Sequence, residues 1–551
     1  MADSQTRALT PFQTHPSRYR HWTFSVTGDV ARLGMQVQEE EDAASSYVLK
    51  QNSYDLNVDI ELNDALHRII FEHPQVKVLV VTSELDRIFC AGANIYMLGR
   101  SSHAFKQNFC RYTNETRILI EEMSSALGIR SLAALNGTAA GGGYELAMAC
   151  DEIALVDDGN SAVSLPEVPL LGVLPGTGGL TRLVDKRRVR RDRADIFCTI
   201  SEGVKGRRAV EWGLVDHLLP KSSFQEKTAE LAARLSAESQ RTAWEGIELA
   251  DLEPRSGENG LFFDHVSLEI DEEERTATLT VAGPGSSEPV TADEMVRRGS
   301  ELWALAAFRE LDRALLHLRI DYPEIGLVLL RTKGAIADLL RVDRALEEHR
   351  DHGFVQAVLS LMGRTLRRLD LSAKSFFALI EPESCFAGSL LELALAADRT
   401  YMLADDDDAC RIAVSSLQRN GFPMTHGLTR LEARFLDDEA AVQRVMERTG
   451  DPLPAGDAED LGLVTMALDD LDYEDETRLA IEERASLSPD ALTGMEASLR
   501  FPGPESMESK IFGRLTAWQN WIFQRPNAVG KEGALTTYGQ PSRPVFDYRR
   551  T

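Results

Sequence analysis

A glutamate placed four residues after the start of a glycine triplet is the feature of this sequence best suited to chemistry. The triplet is Gly141–Gly143, the glutamate is Glu145, and the apolar run Leu132–Leu135 precedes them. This pattern predicts a strand, a tight turn and the start of a helix. Glycine lets a ligand approach the main chain, and the free N–H groups of a first helical turn favour negative charge. Amide donors beside a carboxylate are typical of an acid/base site that acts on a carbonyl compound.

Two further segments have the same character. Upstream, the predicted buried strand Val76–Val81 leads to the small-residue loop F-C-A-G-A-N-I-Y-M-L of Phe89–Leu98, which opens into a helix and would supply a second backbone donor. Downstream, Leu165–Leu183 reads L-P-E-V-P-L-L-G-V-L-P-G-T-G-G-L-T-R-L and contains a second carboxylate at Glu167. The sequence therefore offers two donor loops and two acids.

These three segments, in this order, resemble the crotonase (enoyl-CoA hydratase/isomerase) superfamily over roughly residues 20–220. The resemblance implies that the backbone N–H groups of Ala93 and Gly142 form an oxyanion hole for an acyl-CoA thioester. It also implies that Glu145 and Glu167 flank a water molecule as acid and base. In one departure from the common A-G-A-D loop, Asn94 replaces the acid.

Four other residues are candidates for the same site. A helix is predicted over Phe105–Leu119, and it places Cys110 and Asn114 one turn apart on one face. In the family this helix borders the acyl pocket, so both are candidate catalytic residues. Two alternatives stay open, a buried apolar thiol for Cys110 and local hydrogen bonding for Asn114. Arg87 and Ala91, beside the first loop, are candidate CoA-binding residues, and a solvated side chain is the alternative for Arg87.

The second half of the chain repeats the first half in part. Three segments recur with a constant shift of 249 residues, which indicates duplication. They are the pairs that begin at Leu62 and Leu311, at His73 and Tyr322, and at Ala209 and Ala458. Glu392 occupies the position of Glu145, but Ser389 and Leu390 replace two glycines. We therefore expect a structural role for Glu392 and no second active site.

Strands alternate with amphipathic helices, which predicts an α/β fold. The resemblance implies a crotonase-like spiral of β-β-α units, duplicated, with a C-terminal helical region. The predicted domains are a catalytic domain at residues 1–255, a degenerate domain at 256–485 and the helical region at 486–551.

Composition restricts the possible partners. With 60 Lys and Arg against 87 Asp and Glu, the formal charge is −27, which argues against nucleic-acid binding. We predict no membrane association, since no apolar run reaches the ~18 residues of a membrane span. The six cysteines lack C-x-x-C spacing, so a reducing cytoplasm and no metal site are expected. CoA would be part of the substrate, with no separate cofactor, and the two-module format predicts a homodimer.

The duplicated format reduces the number of reactions that the resemblance allows. Together with the ending W-Q-N-W-I-F-Q-R-P-N-A-V-G-K-E-G-A-L, it resembles superfamily members that act in aerobic benzoate degradation. The resemblance implies ring opening of 2,3-epoxy-2,3-dihydrobenzoyl-CoA by two waters, giving 3,4-didehydroadipyl-CoA semialdehyde and formate. The alternatives are a 2-enoyl-CoA hydratase and a non-catalytic CoA-binding scaffold.

Overall fold

The computed structural model describes residues 7–39, 47–257, 259–405, 407, 409–436 and 438–551. These residues form two compact units. The N-terminal unit is Pro11–Asp251, and the C-terminal unit is Leu252–Thr551 with the short segment that ends at Thr10. The finer division at residues 255 and 485 stays a prediction. In the described part of the chain, every helix is too short or too polar to cross a membrane.

The N-terminal unit is built on a six-stranded sheet and a four-stranded sheet. Its strands are β1 (Trp22–Thr27), β2 (Val30–Met35), β3 (Val78–Ser83), β4 (Arg87–Cys90), β5 (Arg130–Leu135), β6 (Gly137–Ala140), β7 (Glu152–Asp157), β8 (Ala162–Ser164), β9 (Val204–Lys205) and β10 (His217–Pro220). Its helices are α1 (Leu56–Phe71), α2 (Ile95–Arg100), α3 (His103–Ser125), α4 (Gly142–Ala149), α5 (Glu167–Leu171), α6 (Gly179–Thr181), α7 (Arg191–Thr199), α8 (Gly206–Glu211) and α9 (Phe224–Glu238), with a π-helical turn at Arg182–Lys186.

The six-stranded sheet has the order β1-β2-β3-β5-β7-β10, in which the hairpin β1–β2 is antiparallel and the later pairs are parallel. Parallel strands are covered on both faces and therefore read as continuous apolar runs. All six residues of β3 are buried, and one face of the sheet packs Val78, Val80 and Leu132 against Leu235 of α9. The strand predicted at Val76–Val81 thus begins two residues later.

The second sheet, β4-β6-β8-β9, positions the candidate site. In it β4 and β6 are parallel neighbours, with Arg87 opposite Gly137 and Cys90 opposite Ala139. Because parallel neighbours end at the same edge of a sheet, the loops that follow them begin side by side.

The C-terminal unit repeats the larger sheet. Its strands are β11 (Arg255–Gly257), β12 (Gly260–Phe262), β13 (Val266–Asp271), β14 (Thr276–Ala282), β15 (Leu327–Lys333), β16 (Ser375–Ile380), β17 (Arg399–Leu403), β18 (Arg411–Ile412), β19 (Leu453–Pro454) and β20 (Met466–Leu468). Its helices are α10 (Ala292–Arg298), α11 (Trp303–Ile320), α12 (Ile336–Glu348), α13 (Gly353–Leu371), α14 (Gly388–Ala396), α15 (Leu417–Asn420), α16 (Arg430–Arg434), α17 (Glu439–Met446), α18 (Ala455–Asp460), α19 (Asp470–Ser486), α20 (Pro489–Leu499), α21 (Met507–Ser509), α22 (Thr516–Ile522), α23 (Pro526–Val529) and α24 (Ala534–Thr537), with a π-helical turn at Lys510–Leu515.

The order β13-β14-β15-β16-β17-β20, again an antiparallel hairpin followed by parallel strands, matches the N-terminal sheet strand for strand. The smaller sheet does not recur in the same form. After β15 the chain enters α12 at Ile336, and the described residues keep only the antiparallel pair β18–β19 and a bridge between Ala387 and Ala413. The predicted α/β class, the duplication and the C-terminal helical region are confirmed.

Candidate active site

The two predicted donor loops lie in contact. One follows β4 and contains Ala93, and the other follows β6 and leads into α4 at Gly142. A Cβ atom on Gly92 would lie 3.0 Å from the Gly142 nitrogen and 2.9 Å from the Ala140 carbonyl oxygen. Glycine at position 92, with φ of +90°, therefore lets the first loop close onto the second.

Both predicted donor amides are free to bind a ligand. Tyr54 forms a parallel bridge with Ala93, in which its N–H donates to the Gly92 carbonyl at 3.0 Å and its carbonyl accepts from Asn94 at 2.8 Å. In such a bridge the N–H of Ala93 points away from Tyr54. Gly142 begins α4, where no intrahelical acceptor exists. Within the described residues, neither amide N–H has a backbone partner.

Asn94 keeps the loop intact although it replaces the common acid. Its side-chain oxygen accepts from the Met97 N–H at 2.9 Å and so caps α2. Its side-chain nitrogen donates to the Val48 carbonyl at 3.0 Å, which ties the loop to the preceding segment.

Glu145 is buried and held in one position by a neighbouring turn. One carboxylate oxygen accepts from the backbone N–H groups of Thr177 at 3.0 Å and Gly179 at 2.7 Å. The other accepts from the Thr177 hydroxyl. Only 2% of Glu145 is exposed, so these three donors replace the hydration that the carboxylate loses.

Arg182 anchors that turn. Its guanidinium donates to the Thr177 carbonyl at 2.8 Å and forms a two-pronged ion pair with Glu121, at 2.9 Å for each oxygen. Arg182 thus binds Glu121 of α3 and the turn, and Glu145 receives only neutral donors from that turn.

Glu167 differs from Glu145 because one of its carboxylate oxygens has no hydrogen-bond donor within the described residues. It begins α5, and its Oε1 atom lies 2.6 Å from the position that a Cβ atom on Gly141 would occupy. Its Oε2 atom is buried and has no hydrogen-bond partner within the described residues. Burial raises the pKa of Glu167 to about 7, and the nearby charge of Glu145 adds to the increase. Glu167 can therefore bind and release a proton near neutral pH.

Cys110 and Asn114 lie beside the turn that holds Glu145. The Asn114 side chain donates to the Cys110 carbonyl at 3.0 Å and to the Gly176 carbonyl at 3.1 Å, which is the local pairing considered above. Burial raises the pKa of the Cys110 thiol to about 11, with a contribution from the charge of Glu145. The thiol is therefore protonated at neutral pH, and catalytic roles for both residues stay predictions.

The two predicted CoA-binding residues are placed differently. Ala91 is exposed in the first donor loop and donates its N–H to the Gln51 carbonyl at 3.2 Å. Arg87 is exposed at the start of β4, at the end of that strand away from the donor loop. At ~3.3 Å per residue, the four-residue strand separates Arg87 from the loop by about 10 Å. The CoA-binding roles of Ala91 and Arg87 stay predictions.

This chain is similar in sequence to known proteins. The enoyl-CoA hydratase/isomerase family model matches residues 49–245. A benzoyl-CoA-dihydrodiol lyase of Aromatoleum evansii is 52% identical over 551 residues, which cover 100% of this chain and 99% of that protein. The chain belongs to the enoyl-CoA hydratase/isomerase family.

Two solved structures that are similar to part of this chain are of enoyl-CoA hydratases. An enoyl-CoA hydratase from Geobacillus kaustophilus HTA426 is 32% identical, with 41% of this chain and 76% of that chain covered and a TM-score of 0.35. An enoyl-CoA hydratase from Bacillus anthracis is 26% identical, with coverage of 39% and 77% and a TM-score of 0.34. The family model and the full-length match to the lyase confirm the family resemblance drawn from the motifs.

The C-terminal unit shows how a crotonase-type site can be closed. Ser389 replaces the donor glycine, and its N–H donates to the carboxylate of Asp343 at 2.6 Å. The hydroxyl groups of Ser389 and Ser415 donate to the same carboxylate at 2.8 and 2.9 Å. Burial raises the pKa of Asp343 to about 6. The amide at the position of the predicted donor Gly142 thus has an acceptor within the protein.

The acid of the second copy is neutralised as well. Arg430 donates to Glu392 at 2.9 Å and to Asp370 at 2.7 Å, and all three side chains are buried. The absence of a second active site, expected from Ser389 and Leu390, stays a prediction, and the sequence argument missed Asp343 and Arg430. A signal for Arg430 was present, because G-L-T-R-L occurs at both Gly179–Leu183 and Gly427–Leu431.

Sequence reasoning also missed Thr177 and Tyr54 in the N-terminal unit. Thr177 lies in the P-G-T-G-G stretch, where the glycines drew attention and the hydroxyl did not. Tyr54 lies in an ordinary polar segment, and no motif in the sequence marks its contact with the donor loops.

Proposed function

We propose that this chain is a lyase that opens the ring of 2,3-epoxy-2,3-dihydrobenzoyl-CoA. The reaction consumes two waters and gives 3,4-didehydroadipyl-CoA semialdehyde and formate. The full-length identity of 52% to a benzoyl-CoA-dihydrodiol lyase carries this choice of reaction. The family alone includes several reactions that share one type of site.

The oxyanion hole supplies the first part of the mechanism. The N–H groups of Ala93 and Gly142 bind the thioester oxygen and draw electron density from the conjugated ring. An oxyanion donor of this kind typically contributes ~10²–10³-fold in rate. The contact between the Gly92 loop and the Gly142 nitrogen supports this assignment, because it brings two amides from distant segments to one place.

The two glutamates supply the proton transfers. Glu167, with a pKa of about 7 and an unbonded oxygen, carries protons to the opening epoxide and from the attacking waters. Glu145, fixed by Thr177 and Gly179, orients water and stabilises positive charge that develops during attack. One positioned acid/base group typically contributes ~10²–10⁴-fold.

Apolar residues around the site suit an aromatic acyl group. Ile95 and Tyr96 follow the first donor loop, and Val168, Leu170 and Leu174 follow Glu167, and all five are exposed. Ligand pockets are lined mainly by such side chains, with few polar groups to orient the ligand. Exposed apolar side chains next to the first donor loop and next to Glu167 support a ring rather than a charged group at this end of the substrate.

The reaction can be tested directly with purified protein. Incubation with 2,3-epoxy-2,3-dihydrobenzoyl-CoA should release one formate per thioester consumed, and crotonyl-CoA should be hydrated far more slowly. A 2-enoyl-CoA hydratase would show the reverse preference. A CoA-binding scaffold would bind both thioesters and turn over neither, and either result would reject the proposed reaction.

We propose further that the protein acts in the cytoplasm as a homodimer, with CoA entering as part of the substrate and no separate cofactor. The two-module format supports the dimer. Sedimentation equilibrium at micromolar concentration would test it, and a mass equal to one chain would reject it. Formate release by protein that has been treated with a chelator and desalted would test the independence from a cofactor.

A further inference from the structure

Tyr54 is the residue of the N-terminal unit that joins the two donor loops. Its backbone N–H donates to the Gly92 carbonyl at 3.0 Å, and its carbonyl accepts from the Asn94 N–H at 2.8 Å, so Tyr54 is bonded to the residues on either side of Ala93. Its side chain reaches the other loop, because a Cβ atom on Gly142 would overlap the Tyr54 hydroxyl. The side chain of Tyr54 therefore contacts Gly142, and the backbone of Tyr54 holds Ala93 in place.

The hydroxyl of Tyr54 has nothing to bind within the described residues. It is buried without a hydrogen-bond partner, and only 1% of the residue is exposed. Buried hydroxyl groups are nearly always bonded, since leaving one unbonded costs free energy. An orphan hydroxyl beside an amide that awaits a ligand indicates that the ligand is the missing partner.

The ring cannot turn the hydroxyl elsewhere. The Arg117 guanidinium lies over the ring, 5.4 Å from its centre, and Arg117 is fixed by a buried ion pair with Asp59 at 2.9 Å. Phe109 packs beside the ring, with 6.0 Å between ring centres. Burial holds the pKa of Tyr54 well above its ordinary value, so the hydroxyl keeps its proton and can donate.

We propose that the Tyr54 hydroxyl is a third hydrogen-bond donor to the acyl oxygen, beside the N–H groups of Ala93 and Gly142. The assignment rests on the proposed function, because it takes the thioester oxygen as the ligand of that site. Tyr54 contacts the residues of both donors, Ala93 and Gly142. The thioester oxygen is the ligand atom that both donors would bind, so it is the natural acceptor for the Tyr54 hydroxyl. A donor that strengthens the polarisation of the thioester increases the reactivity of the conjugated ring.

The test uses two tyrosine-to-phenylalanine variants of the full chain. Tyr54→Phe removes the orphan hydroxyl and keeps the ring. Tyr144→Phe is the matched control, since Tyr144 is equally buried, lies on α4, and donates its hydroxyl to the Leu214 carbonyl at 2.7 Å. We expect Tyr54→Phe to keep or raise the melting temperature and to lower kcat for formate release by about 10²-fold, the effect of one oxyanion donor. Tyr144→Phe should lower the melting temperature and leave kcat unchanged.

A spectroscopic readout separates this inference from the proposed reaction. Benzoyl-CoA labelled with ¹³C at the thioester carbonyl is bound to each protein, and the carbonyl stretch is read by difference infrared spectroscopy. The wild-type protein and Tyr144→Phe should shift the stretch to lower frequency, and Tyr54→Phe should lose part of that shift. An unchanged carbonyl frequency in Tyr54→Phe would overturn the inference, whatever happens to kcat. A shift that depends on Tyr54 in a protein that releases no formate would support the inference and reject the proposed reaction.

Discussion

Arg430 donates to Glu392 at 2.9 Å in the C-terminal unit, whereas Arg182, at the equivalent place in the N-terminal unit, donates to Glu121. The two arginines follow the same G-L-T sequence, and Glu392 occupies the helix position equivalent to Glu145. In one copy the arginine neutralises the acid, and in the other it supports the turn that holds the acid with neutral donors. Glu392 is therefore paired with a buried cation, whereas Glu145 is held by neutral donors.

Exchanging each glutamate for glutamine should therefore have opposite effects in the two units. Glu145→Gln should lower formate release by ~10²–10⁴-fold, because the positioned carboxylate is lost. Glu392→Gln should leave formate release unchanged and lower the free energy of unfolding by about 3 kcal/mol, because Arg430 keeps one of its two buried partners and loses the charge of the other. Steady-state rates and urea denaturation of both variants would measure this.

The result that would contradict this assignment is a loss of turnover in Glu392→Gln at a temperature where the protein is fully folded. Circular dichroism of each variant at the assay temperature supplies the required control.

Removing the Thr177 hydroxyl should weaken catalysis without removing either acid. The hydroxyl donates to one oxygen of Glu145, so in Thr177→Val that oxygen loses its donor and the carboxylate gains freedom to move. Misplacement of a reacting group by ~1 Å can cost ~10²-fold, and we expect a loss of about 10-fold in kcat because the two backbone donors remain. Thr181→Val, at an exposed threonine of the same segment, is the control and should retain the wild-type kcat. Equal activity of the two variants would mean that the hydroxyl does not position Glu145.

The loops after β4 and β6 could be predicted from the sequence because each rests on local rules, and the donor and acid roles stay predictions. A glycine triplet before a helix and a small-residue loop after a strand are determined by the residues themselves. The partners of Glu145 could not be predicted in the same way, since Thr177 is 32 residues away and meets Glu145 only through the tertiary fold. The same holds for Tyr54, whose hydroxyl meets Gly142 across a span of 88 residues.

The ends of strands were also difficult to predict from the sequence. The predicted strand at Val76–Val81 is observed at Val78–Ser83, because its start is determined by pairing with Val30 of β2 and its apolar run continues into the preceding turn. Arg87 was predicted to bind CoA because it precedes the donor loop in the chain. It lies at the end of β4 away from that loop, and its contact with CoA stays a prediction.

Glu167 should make stability depend on pH in a defined direction. Its pKa is about 7 in the folded chain against 4.5 ordinarily, so the folded protein binds a proton that the unfolded chain has released between those values. The stabilisation is therefore complete below pH 4.5 and is lost as the pH rises through 7. At pH 8, Glu167→Gln should unfold with a free energy higher by about 2 kcal/mol than the wild type, and the difference should vanish at pH 4.5. Glu226→Gln, an exposed change on α9, is the control.

The contribution of Glu145 to this pH dependence can be isolated. Its negative charge helps to raise the pKa of Glu167, so in a Glu145→Gln background the loss of stability should end at a lower pH. Guanidinium denaturation of the four variants of this cycle from pH 4.5 to pH 8 gives the comparison. An identical pH profile in both backgrounds would show that the two carboxyl groups do not interact.

Gly142 should tolerate no side chain, and the reason can be tested with a second substitution. A methyl group at this position would overlap the Tyr54 hydroxyl, so in Gly142→Ala either the tyrosine or the helix start must shift. We expect a loss of about 10²-fold in kcat, as for a ~1 Å displacement of the donor. In the double variant with Tyr54→Phe the overlap is reduced, so the second change should cost less in kcat and in melting temperature than it does alone. Gly99→Ala is the control, because a methyl group there meets open space, and it should keep the wild-type kcat. If the two costs simply added in the double variant, the contact between Tyr54 and Gly142 would not be the reason that position 142 is glycine.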